Sequence, residues 1–234
     1  MINLSLLGSN GRMGSHVKKL IDEDYRDFVQ LVAEYNKADN QGDSIEDLLT
    51  SNVVIDFSNP DATNRLVAAA LKKQNGLPAL VIGTTGFKEE ELQQIRELSS
   101  LTPIIISANF STAVSVFLAI IKEFSPILKK FGYSARVSET HHKHKKDAPS
   151  GTALSIKKAL EPAYPKIEIT STRTGEVIGE HHLYLDGPAD GLVLSHVAKD
   201  RSVFARGALE VALWLCKDKN SGLYSMQDFL ENSA

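Results

Sequence analysis

Residues 141 to 146, His-His-Lys-His-Lys-Lys, set three imidazoles beside three ammonium groups in a chain whose formal net charge is −3. Crowded cations lower the pKa of Lys and His, and a bound anion raises it again. Such a cluster suits groups that bind carboxylates and donate protons near neutral pH. Pro149-Ser150-Gly151-Thr152 then reads as a helix start. Ser150 is the N-cap, and the Gly151 and Thr152 N–H groups stand at the positive end of the helix dipole. A helix N-terminus beside a cationic loop is a receptor for a small carboxylate. Three other readings compete. The run can be a solvated charged loop. Nucleic-acid binding lacks a broader basic face or interleaved aromatics. A metal site lacks both the i, i+4 histidine pairing and carboxylates at motif spacing, so no metal is expected. His181 and His182 alternate along a predicted strand, one facing inward and one exposed.

A second chemical element lies near the N-terminus. The turn Gly8-Ser9-Asn10-Gly11-Arg12-Met13-Gly14 follows an apolar run, residues 2 to 7, and opens a helical stretch read over Ser15 to Ile21. Glycines permit tight curvature and close approach of a pyrophosphate, and the helix start supplies N–H donors. The spacing is G-x-x-G-x-x-G rather than G-x-G-x-x-G, so position carries this reading more than pattern, and a bare strand–helix turn is its competitor. Glu34 ends the next apolar run, where an acidic group accepts hydrogen bonds from ribose hydroxyls. That favours NADH. Arg12 and Lys37 can neutralise a 2′-phosphate, so both NADH and NADPH are expected to serve. Gly83-Thr84-Thr85-Gly86 and Ser107-Ala108-Asn109-Phe110 close two later strands, whose carboxyl ends belong to the same ligand crevice, although ordinary turn chemistry selects similar residues.

The elements that must position these residues read as two domains. Apolar runs at 28–33, 53–57, 79–82 and 103–106 alternate with helical segments around 44–49, 61–73 and 89–99. That alternation marks a Rossmann-type α/β domain, a parallel sheet covered by helices on both faces. After Asn109 the pattern changes. A long helical stretch over 111–131, interrupted by Pro126, precedes strand-like segments at 133–138, 166–173, 177–185 and 192–197, with a helix over 151–160. These imply a second, α+β domain over 109–206 that holds the carboxylate receptor, with 1–108 and 207–234 forming the dinucleotide domain. A final helix near Val203 to Leu215 returns to the first. Composition is that of a globular chain, 42% hydrophobic and 24% charged. No apolar run reaches the roughly 18 residues of a membrane span and no leader pattern is present. Cys216, the single cysteine, excludes an intrachain disulfide and suits a reducing compartment. The chain is therefore expected in the cytoplasm, without membrane or nucleic-acid partners.

The segment from Glu139 to Ala153, E-T-H-H-K-H-K-K-D-A-P-S-G-T-A, resembles the E-x-H-H-x-x-K-x-D-A-P-S-G-T-A signature of the 4-hydroxy-tetrahydrodipicolinate reductase family, also called dihydrodipicolinate reductases. Similar stretches recur at Val54 to Ser58, Arg173 to His181, Phe204 to Ala208, Ala212 to Leu215 and Ser221 to Tyr224. The resemblance implies NAD(P)H-dependent reduction of 4-hydroxy-tetrahydrodipicolinate to tetrahydrodipicolinate, on the route to diaminopimelate and lysine. It implies that His141 is the general acid and Lys145 a second proton donor and carboxylate contact. His142, Gly151 and Thr152 become ligands of the small dicarboxylate substrate. It likewise implies cofactor contacts at Gly8 to Met13, Glu34, Gly83 to Thr85 and Ser107 to Phe110, and a homo-oligomer, commonly a tetramer, assembled through the substrate-binding and oligomerisation domain. The two-domain reading in turn leads to an expected closure of one domain onto the other that expels water. Two departures stand out. Tyr35 occupies the place where many members carry Arg, and the stretch from Glu34 to Val53 is short. The rival from another class is an NAD(P)-sensing Rossmann protein without turnover, which would have no need of proton donors beside a carboxylate site.

Overall fold

The computed structural model describes residues 1–36, 43–217 and 219–232; Lys37 lies outside them. The chain forms two compact units, Met1–Phe110 with Ser202–Ala234, and Ser111–Arg201. The first unit contains β1 (Ile2–Leu7), α1 (Arg12–Leu20) with a π-helical turn over Ile21–Tyr25, β2 (Val29–Tyr35), α2 (Ile45–Leu48), β3 (Val53–Asp56), α3 (Pro60–Lys73), β4 (Ala79–Ile82), α4 (Glu89–Ser99) and β5 (Pro103–Ile106). The second contains α5 (Thr112–Lys130), β6 (Ser134–His141), α6 (Gly151–Leu160), β7 (Glu168–Arg173), β8 (Gly179–Asp186) and β9 (Gly191–Ala198). The chain returns to the first unit with α7 (Ser202–Leu215), β10 (Gly222–Tyr224) and α8 (Met226–Asn232).

In the first unit six parallel strands lie in the order β10-β5-β4-β3-β1-β2. Successive strand residues point to opposite faces, and both faces are apolar. Leu4, Leu6, Val53, Ile55, Val81 and Ile105 pack with Val17 of α1 and Ala208, Leu209 and Ala212 of α7. Leu7, Val54, Leu80, Ile82 and Ile104 pack with Leu48, Leu66, Val67 and Leu98 of α2, α3 and α4. The doubly covered sheet is the Rossmann-type architecture. Strand order reverses at β1 and β3, so the crevice beyond their carboxyl ends is where this fold takes a ligand.

In the second unit the order is β7-β6-β8-β9, parallel between β7 and β6 and antiparallel elsewhere. Phe117 and Ile121 of α5 and Ile156 and Leu160 of α6 pack on Val137, Leu183 and Leu185. One face of this mixed sheet is therefore covered by helices.

Several elements differ from the sequence expectations. α1 begins at Arg12, directly after the extended Gly11. α5 runs unbroken through Pro126. The lost N–H of Pro126 removes one helical bond, while buried Phe117, Ile121 and Ser125 before it and partly buried Leu128 after it seat the helix on the core. β6 continues to His141 instead of stopping at 138, so the first histidine of the cationic run belongs to a strand. β10 and α8 escaped the sequence reading because each is short. α7 begins at Ser202 and packs on α1, β3 and β4, so the return to the first unit precedes residue 206. Among the described residues no helix is long and apolar enough to cross a membrane.

Candidate functional site

The glycine loop is built so that backbone can crowd backbone. Gly8 has φ +87°, and a Cβ there would stand 2.5 Å from Phe57 O. A Cβ on Gly14 would stand 2.3 Å from Gly8 O, so the helix starts against the turn it follows. Gly83 admits the Phe57 ring, whose Cε1 would lie 2.2 Å from an added Cβ. A cavity of about 400 Å³ opens here, lined in part by Arg12, Met13, Phe57, Ser58, Thr84 and Thr85. A second, of about 200 Å³, is lined in part by Gly8, Gly11, Tyr35, Asn36, Phe57 and Ala62. Glycine backbone, a helix N-terminus and small hydroxyl residues around this space fit the pyrophosphate and riboses of a dinucleotide.

Asp56, at the end of β3, organises that wall and escaped the sequence reading. Its carboxylate is buried and accepts from Ser58 N (2.9 Å), Ser58 Oγ (2.5 Å), Thr63 Oγ1 (2.5 Å) and Thr84 Oγ1 (2.9 Å). Burial raises its pKa, against the pull of these donors. The strand-end acid Glu34 pairs with Lys18 Nζ at 2.9 Å, a cation absent from the sequence reading, which looked to Arg12 and Lys37. The Arg65 guanidinium lies 5.5 Å from the Tyr35 ring centre, so α3 supplies a cation beside the position that departs from the family pattern. The Ser107 hydroxyl donates to Asn109 O (2.7 Å) and accepts Asn109 N (3.2 Å), folding the segment after β5 on itself. Phe110 is buried and meets Phe57 edge-on at 6.1 Å. Its side chain supports the floor of the wall.

The second unit holds the histidines. On the helix-covered face of its sheet, the cross-strand pair Val137 and Leu183 is followed at the next same-face position by Glu139 and His181, with His196 beyond on β9. Within one step the face changes from apolar to ionisable. Glu139 is 0% and His141 7% exposed. His141 Nδ1 donates to Glu139 Oε2. Arg173 Nη2 on β7 lies 2.8 Å from Glu139 Oε1, an ion pair rather than an aligned hydrogen bond. Burial pulls the Glu139 pKa up, but Arg173, Ser171 and His141 together hold it below the ordinary range. Burial pushes His141 down, Glu139 raises it, and Lys145 and Arg173 push it down further. His181, whose ring centre is 5.1 Å from that of His141, is pushed down to about 3 by burial and by its histidine neighbours.

The cationic run leaves β6 at His141. Lys145 Nζ pairs with Asp147 at 2.9 Å, and Lys143 with Glu176 at 3.5 Å. His142 is shifted down by desolvation, by Arg201 and by His144. Arg201 thus joins the cations of this site, although the sequence reading left it out. Ser150 caps α6 by accepting Ala153 N at 3.2 Å. Nothing stands within 4 Å of a Cβ built on Gly151, so the space over the helix start is open. His141, His142, Lys145, Gly151, Thr152 and Arg201 belong to this one unit. Glu139, His141 and His181 place three potential metal-donor atoms within 4.8 Å of one another. Both Glu139 oxygens are engaged by Arg173 and His141, and the guanidinium would repel a cation there. The arrangement favours proton chemistry.

The family model described as dihydrodipicolinate reductase, N-terminus, matches residues 2–110, and that described as dihydrodipicolinate reductase, C-terminus, matches residues 113–230. The 4-hydroxy-tetrahydrodipicolinate reductase of Caldanaerobacter subterraneus is 36% identical over 254 residues, covering 99% of each chain. That of Rickettsia rickettsii is 35% identical over 243 residues, covering 97% of this chain and 98% of the relative. A dipicolinate-bound dihydrodipicolinate reductase from Paenisporosarcina sp. TG-14 shares the fold, with a TM-score of 0.79 at 23% identity over 96% of this chain and 97% of the other.

Proposed function

Because this chain belongs to the dihydrodipicolinate reductase family, we infer that it is an NAD(P)H-dependent oxidoreductase that converts 4-hydroxy-tetrahydrodipicolinate to tetrahydrodipicolinate in diaminopimelate and lysine biosynthesis. The observation that carries the residue assignment is the buried His141–Glu139 pair in the unit that also holds Lys145, Arg201 and the open start of α6. Gly8, Ser9, Asn10, Gly11, Arg12 and Met13 would hold the pyrophosphate of the cofactor. Glu34 would hold its adenosine ribose, and Gly83 to Thr85 with Ser107 to Phe110 its nicotinamide half. When bound, the cofactor supplies the hydride.

The reaction also consumes a proton and releases water. His141 holds that proton at Nε2, since Nδ1 is committed to Glu139. Lys145 and Arg201 supply positive charge for one carboxylate, and the Gly151 and Thr152 backbone with His142 receives the other. Lys18 beside Glu34 and Arg65 beside Tyr35 offset the acidic ribose position, which supports use of both NADH and NADPH. We place the enzyme in the cytoplasm and assign it to a homotetramer joined through its second unit; exposed Val193 and Val197, on the face of β9 turned away from the helices, support that surface. Closure of the units over substrate is part of this reading, and scattering curves that superimpose with and without NADH plus dipicolinate would count against it.

The direct test generates substrate from pyruvate and aspartate semialdehyde and follows loss of absorbance from each cofactor. Wild type should oxidise both, and His141→Ala should fall by about a hundredfold or more, the scale of a lost general acid. A protein that binds NADH and oxidises neither cofactor would be a sensor instead.

A further inference from the structure

We propose that Glu139, braced by Arg173, is the positioning residue that makes His141 a proton donor, by fixing the imidazole through Nδ1 and leaving Nε2 to exchange the proton. The proposal rests on the reductase reading above, but its decisive measurement does not need turnover.

Residues i and i+2 of a strand share a face, so β6 sets Glu139 and His141 side by side. The carboxylate is fully buried with both oxygens engaged, Oε2 by His141 and Oε1 by Arg173 at 2.8 Å. A buried carboxylate costs stability unless its partners compensate it, and an apolar residue would continue the Val137–Leu183 core. Its retention at the edge of that core calls for another reason, and the hydrogen bond to His141 supplies one. Arg173 is in turn anchored by the carbonyls of Thr172 (2.8 Å) and Asp147. The ring itself is confined, because a Cβ on Gly179 of β8 would stand 3.0 Å from His141 Nε2.

The groups facing His141 are Glu139 on its own strand, Lys145 in the loop that follows, Arg173 on β7 and His181 on β8, with His196 on β9 behind His181. His181 is held neutral, and the other two are cations. Glu139 is the one anion among them, and it alone opposes the burial and repulsion that would strip His141 of its proton. A histidine that orients through Nδ1 and acts through Nε2 needs such a partner to fix its tautomer.

The test compares wild type, Glu139→Gln and Glu139→Asp as full-length protein. His141 is titrated by NMR on histidine labelled at Cε1, assigned with His141→Asn, and kcat/KM is followed against pH. An acid works while protonated, so wild-type activity falls as pH rises through the His141 pKa. Glu139→Gln should move that limb and the NMR midpoint together to lower pH by about one unit. It should lower kcat by about ten- to a hundredfold near neutral pH, with NADH affinity retained. Glu139→Asp keeps the charge but shortens the reach, should show a smaller shift, and serves alone if the Gln variant fails to fold. A His141 midpoint unmoved in a folded variant overturns the proposal. A shifted midpoint in a protein that turns over no substrate would uphold it and sink the reductase reading instead.

Discussion

The Ser150 hydroxyl lies 3.2 Å from Nε2 of His181 while it caps α6 through Ala153 N. One oxygen thus ties the helix that presents Gly151 and Thr152 to the strand row that buries His141. Ser150→Ala should cost about 1 kcal/mol of stability, the usual value of an N-cap, and should weaken binding of the dicarboxylate substrate several-fold. Thermal denaturation and calorimetry read the two effects separately. A loss of stability with affinity intact would make Ser150 a helix cap and nothing more.

Acid should unfold the protein earlier than its carboxylates alone would. His181 has a folded pKa of about 3 against an ordinary 6.5. Between those values the unfolded chain binds a proton that the fold refuses, so stability declines as pH drops from 6.5 toward 3, by up to about 1.4 kcal/mol per unit. Glu139 adds to this. Its pKa is lowered by folding, so its contribution is present above the ordinary Glu range and is lost as pH falls below that range. Urea midpoints at pH 7.5, 6 and 5 should fall steadily, and His181→Asn should flatten the slope. An unchanged slope in that variant would assign the acid loss to other groups.

Gly14→Ala should abolish tight NADH binding, by more than about tenfold, because its methyl meets Gly8 O at 2.3 Å and backbone must move. Gly11→Ala meets the same oxygen at 3.2 Å and should be much milder. Fluorescence titration of NADH compares them, with circular dichroism to confirm folding. Equal losses in the two variants would show that crowding at the turn is not what shapes the site.

Cofactor choice should respond to Lys18 and Arg65. Lys18→Ala uncovers the Glu34 charge and should lower kcat/KM for NADPH relative to NADH by a few-fold. The modest size follows from side-chain exposures of 33% and 38%, at which solvent screens the pair. Glu34→Gln should move the ratio the other way, and Arg65→Ala should lower NADPH use. Steady-state assays with each cofactor decide it; a ratio indifferent to all three changes would place selectivity elsewhere.

The alternation of short apolar runs with amphipathic segments made the parallel sheet readable, since Val53 to Ile55 are buried on both faces and their apolar character is continuous. The helix start at Ser150 was readable for a similar reason, as the cap and the helix are local. Glu139 was not readable as a partner of His141, because polar residues at the end of β6 look like loop until cross-strand pairing with β7 and β8 holds them in the strand. Arg173, Arg201 and Lys18 enter through contacts remote in sequence from the residues they serve. Asp56 lay in plain view inside an apolar strand, but only the convergence of Ser58, Thr63 and Thr84 explains how a carboxylate sits there.

The division of the chain also bears on how the molecule comes into being during synthesis. The unit from Ser111 to Arg201 is one uninterrupted stretch, whereas the other needs both ends of the chain. Until α7 emerges, the Leu4, Leu6 and Val53 face of its sheet is covered by α1 without the helix that packs beside it, and β5 lacks its neighbour β10. Domains fold as units during translation, so the histidine-bearing unit can be finished while the dinucleotide-binding unit still waits for its last segment. Gly207 completes that closure, since a Cβ there would overlap Phe110 O at 1.8 Å. The residue at which the chain first leaves the unit is clasped by the helix with which it comes back.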